Sequence, residues 1–354
     1  MCPEIEQLLR LMVEKSASDL HIVAGAYPQL RVDERLIPAE KDILTAEKSK
    51  KLIYSLLSPE AIDRFEKNLE LDMSFGIKGL SRFRLNVYMQ RGVIGCAIRK
   101  IPYEILSLEQ CGLDIKVVGE LCRKSKGLIL VTGATGSGKS TSLAAMINMI
   151  NQQKDCNIIT IEDPIEYTFK NIKSIIEQRE VGSDTHSFAD ALKHVLRQDP
   201  NVILIGEMRD LETIQAALNI AETGHLVLAT LHTSDSVQTI NRVVDVFPAH
   251  QQQQVRIQLS FVLLAVLAQQ LIPKPKGGRI LATEILISNP AVRSLIREGK
   301  THQVYSTLQT GQKEGMRTMN QSLYELHLQG IITAEEALSR STEPQDLERL
   351  LKKG

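Results

Sequence analysis

Neither sign of charge dominates this chain of 354 residues, in which Lys and Arg total 42 and Asp and Glu also total 42. A balanced chain has no global field drawing it onto nucleic acid or anionic lipid, so any basic patch is local and nucleic acid is not an expected partner. Long apolar runs are missing as well. The longest, FVLLAVLA at residues 261–268, falls far short of the roughly 20 residues that a membrane-spanning helix needs. The acidic amphipathic start, MCPEIEQLLRLMVEKSASDLH, lacks a signal-peptide pattern. No integral membrane segment is expected, and the expected compartment is the cytoplasm. Cysteine is sparse: Cys2, Cys96, Cys111, Cys122 and Cys156 are odd in number and stand no closer than eleven positions apart. That spacing excludes a CxxC zinc knuckle and argues against a disulfide framework. There is no internal repeat, and the one biased tract, glutamines 251–254, reads as part of a helix.

The length suits about two domains of ordinary size, and the 43% apolar content supplies their cores. The first hundred residues mix helices with short alternating strands. Leu8, Leu9, Leu11, Met12 and Val13 lie at helical spacing, while DLHIVAG, QLRVDERLI, LELDMSFGI, SRFRLNVYMQ and VIGCAIRKI read as strands. In SRFRLNVYMQ, Phe83, Leu85, Val87 and Met89 point one way, and Arg82, Arg84, Asn86 and Tyr88 the other. The pattern alone makes that second face the solvated side of an antiparallel sheet. Turn-forming residues in RKIPYEILSLEQCGLD place a boundary there, giving an N-terminal α+β domain at 1–100, a linker at 101–113 and a second domain at 114–354. From Gly127 onward the strands become continuous apolar runs, GLILVTG, NIITIED, NVILIGE and HLVLATLHT, separated by helical segments. Such runs mean an α/β domain with a parallel sheet covered on both faces. Beyond Ala249 the pattern predicts mostly helix, including QQQQVRIQLSFVLLAVLAQQLI, with a short strand pair near residues 279–287 and C-terminal helices from about 288.

Chemistry concentrates where these apolar strands end. GATGSGKST follows one strand and opens a helix, placing Gly133, Ala134, Thr135, Gly136, Ser137, Gly138, Lys139, Ser140 and Thr141 in a phosphate-binding loop. Glycines let consecutive backbone N–H groups point inward, the helix N-terminus adds positive potential, Lys139 reaches the β- and γ-phosphates and Ser140 ligates magnesium. ATP and Mg2+ are therefore the expected cofactors. NVILIGE ends in Glu207, a candidate general base, with Gly206 where an Asp is common. Glu162 and Asp163 end the neighbouring strand and Glu166 follows, so Asp163 is a candidate for the magnesium shell, directly or through water. His225 and His232 flank HLVLATLHT seven positions apart, about 23 Å in an extended chain, so one ion cannot bind both. His232 falls at the crevice end of its strand, where an imidazole can donate to a phosphate oxygen. His225 enters at the opposite end, where it fixes the strand's start or meets another subunit.

GATGSGKST, IEDPIEY, GEMRDLETI and GHLVLATLHTSD resemble the Walker A motif, aspartate box, Walker B motif and histidine box of the type II/IV secretion ATPase superfamily, and SASDLHIVAG with RFRLNVYMQRG resembles its PAS-like N-terminal domain. LIREGKTHQ is similar to the C-terminal region of the pilus-retraction branch, and the four-cysteine zinc motif of the extension and secretion branches has no counterpart here. The resemblance implies a PAS-like domain followed by a RecA-like P-loop ATPase domain with a helical C-terminal extension. It also implies a homohexameric ring, with nucleotide between the two domains of one subunit and completed by a neighbour. Arg82, Arg84 and Arg99 then become candidate arginine fingers. The implied work is type IV pilus retraction and twitching motility, with an inner-membrane platform protein and the pilus machinery as partners and a location at the inner face of the cytoplasmic membrane. An accessory retraction paralogue, a secretion-pseudopilus motor or an ATP-gated assembly module with little hydrolysis remain alternatives. The chain departs from the family pattern at AVRSL (291–295) where AIRNL is usual, at SFVLLAV, at Ala134 and at VDERL, and none of these removes a candidate catalytic group.

Overall fold

The computed structural model describes residues 1–32, 35–101, 104–275 and 277–352. The chain divides into two compact units, Met1–Glu104 with Pro164–Thr168, and Ile105–Asp163 with Phe169–Gly354. Asp33 and Glu34 of the VDERL departure, and Pro102 and Tyr103 of the expected linker, lie outside the described residues.

The first unit holds β1 (Asp19–Ile22), β2 (Gln29–Val32), β3 (Arg35–Pro38), β4 (Glu70–Ile77), β5 (Ser81–Gln90) and β6 (Val93–Ile101) in one antiparallel sheet of order β3-β2-β1-β6-β5-β4. Its core joins Ile5, Leu8, Leu9 and Met12 of the first helix, Pro3–Glu14, to Phe83, Leu85 and Val87 of β5. The alternation expected in β5 holds except at Met89, which is 36% exposed. Met89 sits beside the hairpin formed by Arg91 and Gly92, both at positive φ, as a two-residue hairpin turn requires. QLRVDERLI, expected as one strand, instead supplies the two antiparallel strands β2 and β3, with Val32 paired to Arg35.

The second unit holds β7 (Gly127–Thr132), β8 (Asn157–Glu162), β9 (Ile175–Glu180), β10 (Val202–Ile205), β11 (Leu226–Leu231), β12 (Leu263–Pro273) and β13 (Arg279–Ile287) in the order β13-β12-β7-β11-β10-β8-β9. All neighbours pair in parallel except β13, which lies antiparallel on β12. Every residue of β7, β10 and β11 is buried, because helices cover both faces. Lys139–Gln153 and Ile115–Arg123 pack on one face, and Phe188–Val195, Leu211–Glu222, Ser236–Asp245 and Ala249–Val262 on the other.

The helix expected to run through QQQQVRIQLSFVLLAVLAQQLI stops at Val262, and Leu263 onward forms β12. The residues of LLAVLA are almost all buried, since β7 flanks the strand on one side and β13 on the other. An apolar run without period fits a central strand as well as a buried helix. Residues 279–287 are accordingly a single strand paired along its whole length with β12, not a strand pair of their own. The remaining helices gather around a small core of Ile272, Ala282, Met319, Leu323, Ile332, Ala337 and Leu347.

Candidate active site

Strand register brings the motifs of the second unit to one edge of its sheet. Thr132 of β7 lies level with Leu231 of β11, while Ile205 of β10 lies level with Ala229 and with Ile161 of β8. The next residues on these four adjacent strands are the phosphate loop, His232, the 206–208 turn and Glu162–Asp163. They leave the sheet at its carboxyl edge, where open α/β sheets bind ligands.

Gly133, Gly136 and Gly138 all take positive φ, and Gly138 caps the helix Lys139–Gln153. Gly133 is also sterically required: a β-carbon there would collide with the Gln269 carbonyl oxygen and stand 2.5 Å from Ser137 Oγ. Lys139 Nζ donates to the carbonyls of Gly133 at 2.8 Å and Ala134 at 3.1 Å, which holds the ammonium across the loop. Thr132 Oγ1 and Ser137 Oγ are buried with no hydrogen-bond partner among the described residues. Unpartnered hydroxyls at such a loop suit phosphate oxygens, which accept several donors at once.

Glu207 stands two residues beyond β10. Its Oε1 accepts from Arg209 Nε at 2.6 Å and His232 Nε2 at 3.1 Å. The turn carrying it is fixed by Thr230, whose hydroxyl donates to the Gly206 carbonyl at 2.5 Å and whose carbonyl accepts from Met208 N–H at 3.0 Å. A side chain at 206 would press on the β8 backbone, since a β-carbon there meets Glu162 Cα and the Ile161 carbonyl oxygen at 3.2 Å. Any side chain at 206 would require that backbone to give by a few tenths of an ångström. Burial pushes the Glu207 carboxyl up, but the hydrogen bond from Arg209 and the charges of His232 and Arg209 outweigh it and hold the group below the ordinary range. Glu207 is therefore an anion at neutral pH.

Arg209 is a contact that the sequence reading did not single out. Its only signal was position, two residues after the glutamate in GEMRD. The other carboxylates are engaged differently. Glu162 Oε1 accepts from Thr160 Oγ1 at 2.6 Å and from Gln178 Nε2 at 3.2 Å, both on the sheet itself. Asp163 adds to the negative potential that keeps Arg209 charged. Glu166 lies in the segment Pro164–Thr168, which belongs to the first unit.

His225 lies at the far end of β11 from His232. Its Nδ1 stands 3.1 Å from the Ile220 carbonyl oxygen and 3.2 Å from Thr223 Oγ1, closing the end of the helix Leu211–Glu222. In the first unit, Arg84 and Arg99 pair across β5 and β6, and Arg99 pairs with Asp19 across β6 and β1, so the three share one face. Arg99 Nε donates to Asp19 Oδ1 at 2.8 Å yet its side chain stays 67% exposed. Arg84 Nη2 stands 4.0 Å from Asp72 Oδ1, and Arg82 Nη2 donates to Ser74 Oγ at 2.7 Å. Among the described residues no cluster of three or more His, Cys, Asp or Glu could hold a metal, and no helix is long and apolar enough to cross a membrane.

A mainly parallel sheet with a phosphate loop after one strand, and a glutamate and a histidine hydrogen-bonded at the ends of its neighbours, defines a RecA-like P-loop ATPase. Residues 2–339 match the type II/IV secretion system protein family. The chain is 45% identical over 343 residues to the type IV pilus retraction ATPase PilT of Pseudomonas aeruginosa, covering 97% of this chain and 99% of that one. It is 42% identical over 352 residues to the type IV pilus ATPase PilU of the same organism, covering 99% and 92%. A crystal structure of the pilus retraction motor PilT with bound ADP superposes with a TM-score of 0.92 at 52% identity, covering 99% of this chain and 100% of that one. The chain belongs to the type II/IV secretion system protein family and is an ATPase of that family.

Proposed function

We propose that the chain is the motor subunit of a type IV pilus retraction machine. It assembles as a homohexamer, converts ATP hydrolysis into mechanical work and drives pilus disassembly, and hence twitching motility, through an inner-membrane platform protein. It works in the cytoplasm at the inner face of the membrane. The observation that carries this reading is the phosphate loop, Glu207 and His232 on one sheet edge, in a chain alike over almost its full length to a retraction ATPase.

In this reading residues 1–100 form the N-terminal domain, 101–113 the linker and 114–354 the ATPase domain. Residues 133–141 hold the triphosphate. A magnesium ion would be held by Ser140, with Asp163 directly or through water, and when bound it neutralises charge on the β- and γ-phosphates. The residues fit such an ion, which takes one or two protein oxygens beside phosphate and water and needs no cage of side chains. Glu207 accepts the proton of the attacking water, with Glu162 and Glu166 as supporting carboxylates. His232, bonded to Glu207, donates to the γ-phosphate and reports whether it is present. His225 maintains the opposite end of the strand. Arg82, Arg84 and Arg99 bring positive charge to the phosphates of a neighbouring subunit.

A second reading, an accessory pilus ATPase, is favoured by the AVRSL segment, where AIRNL is usual in retraction members. Deleting the gene in a piliated strain and imaging labelled pili separates the two. Loss of retraction with pili still extended supports the principal motor. Retraction at the ordinary frequency assigns the accessory role.

A further inference from the structure

Glu284 is a carboxylate buried to 3% exposure in the middle of β13, and no cation within salt-bridge distance balances it among the described residues. Its Oε1 accepts from the backbone N–H of Ser236 at 2.8 Å and from Ser236 Oγ at 2.7 Å, and the backbone of Met319 also favours the ionised form. Ser236 and Met319 are the first residues of two different helices, Ser236–Asp245 and Met319–Leu328. The N-terminus of the first helix therefore binds this carboxylate directly, and the start of the second adds favourable potential to it. Burial, with the nearby charge of Asp235, still pushes its carboxyl above the ordinary range. A strand position that needed only packing would be filled more favourably by an apolar side chain.

The two helices differ in what they serve. Ser236 is four residues beyond His232, and the intervening turn is short and tied down: Thr233 Oγ1 lies 2.7 Å from Thr239 Oγ1, and Asp235 caps the helix by accepting from Gln238 N–H at 2.8 Å. Displacing Ser236 therefore displaces His232. Met319 opens a helix of the C-terminal group and lies in that group's core. The adjacent Thr283 of β13 ties the strand to this helix and to the residues just before it: its N–H donates to Ser322 Oγ at 3.0 Å, and Arg317 Nη2 donates to its Oγ1 at 2.7 Å.

We propose that Glu284 is a positioning residue that sets His232 at the γ-phosphate edge of the site and couples its position to the C-terminal helices. The inference rests on the reading of His232 as a phosphate contact. Glu284→Gln keeps an acceptor for Ser236 but puts an amide donor where the second carboxylate oxygen stood. Ser236→Ala removes one of the two donors to Oε1.

The test is steady-state ATPase of the full-length chain as wild type, Glu284→Gln, Ser236→Ala, His232→Ala and the Glu284→Gln/His232→Ala double variant. Misplacing a catalytic contact lowers kcat by about tenfold or more, so Glu284→Gln shows that loss with KM for ATP little changed, and Ser236→Ala a smaller one. The double variant is no slower than His232→Ala alone, because both changes act on one contact. Hydrogen exchange supplies the second readout: a non-hydrolysable ATP analogue alters protection of residues 319–328 in the wild type and not in Glu284→Gln. Wild-type turnover in both Glu284→Gln and Ser236→Ala, with His232→Ala impaired, overturns the inference alone. Independent, multiplying losses in the double variant do the same. Wild-type turnover in His232→Ala overturns the reading beneath it. Should Glu284→Gln fail to fold, Ser236→Ala decides.

Discussion

Replacing Gly133 by alanine strikes the phosphate loop in two ways that the structure separates. Gly133 has φ +142°, a region almost closed to other residues, and a β-carbon there would collide with the Gln269 carbonyl oxygen and stand 2.5 Å from Ser137 Oγ. Gly136 also has positive φ, +80°, but a β-carbon there meets nothing within 4 Å. Backbone strain costs each variant roughly 1–3 kcal/mol, and the collision adds about 1–3 kcal/mol at Gly133 alone. For a unit of this size each kcal/mol lowers the melting temperature by about 2–4 °C. Gly133→Ala therefore melts roughly 2–12 °C below Gly136→Ala, or the loop yields and the deficit appears as weaker nucleotide binding. Differential scanning fluorimetry and titration with a fluorescent ATP analogue measure both. If Gly133→Ala matches Gly136→Ala in melting temperature and in affinity, the close approach of β12 to the loop is wrong.

Lys139→Ala removes the loop's side-chain cation, a charged contact worth about 1.5–3 kcal/mol, so ATP affinity falls roughly ten- to hundredfold; isothermal titration checks this, and an unchanged affinity refutes the role. The pH dependence of turnover follows from the direction of the Glu207 shift. A carboxyl held below the ordinary glutamate range stays ionised until the pH falls beneath that range, so the acid limb of kcat lies below it. Arg209→Ala removes the leading interaction that opposes burial, and the limb moves to higher pH; a limb that stays put denies Glu207 the role of base. Mixing Arg84→Ala with Glu207→Gln subunits, each inactive alone, restores partial ATPase activity if the arginine acts across subunits, while a monomer as fast as the assembled ring refutes that action.

The site edge was legible because three buried strands each end in chemistry. The runs before Gly133, Glu207 and His232 carry no charged residue and, apart from Thr132 and Thr230, no polar side chain, so their ends had to be the polar mouths of a parallel sheet. β12 was not legible for the same reason in reverse. LLAVLA is equally apolar, but it follows a helix directly, and only pairing with β7 and β13 decides its state. The pairing of β2 with β3 was hidden because QLRVDERLI contains no glycine or proline to mark a break. Arg209 looked like any exposed arginine in a loop, and its value lies in the 2.6 Å contact to Glu207. Glu284 sits in ATEIL, where a lone carboxylate reads as the solvent side of an alternating strand. Helices from distant parts of the chain bury it, and no local pattern reports that.

Whether Glu207 performs hydrolysis at the phosphate loop is decided by the ATP turnover of purified Glu207→Gln, measured beside its ATP affinity. Losing a positioned base costs about 10²-fold or more, close to 3 kcal/mol in activation free energy. The account predicts a loss of that size with ATP binding retained. Turnover near wild type would contradict it and pass the role to another carboxylate.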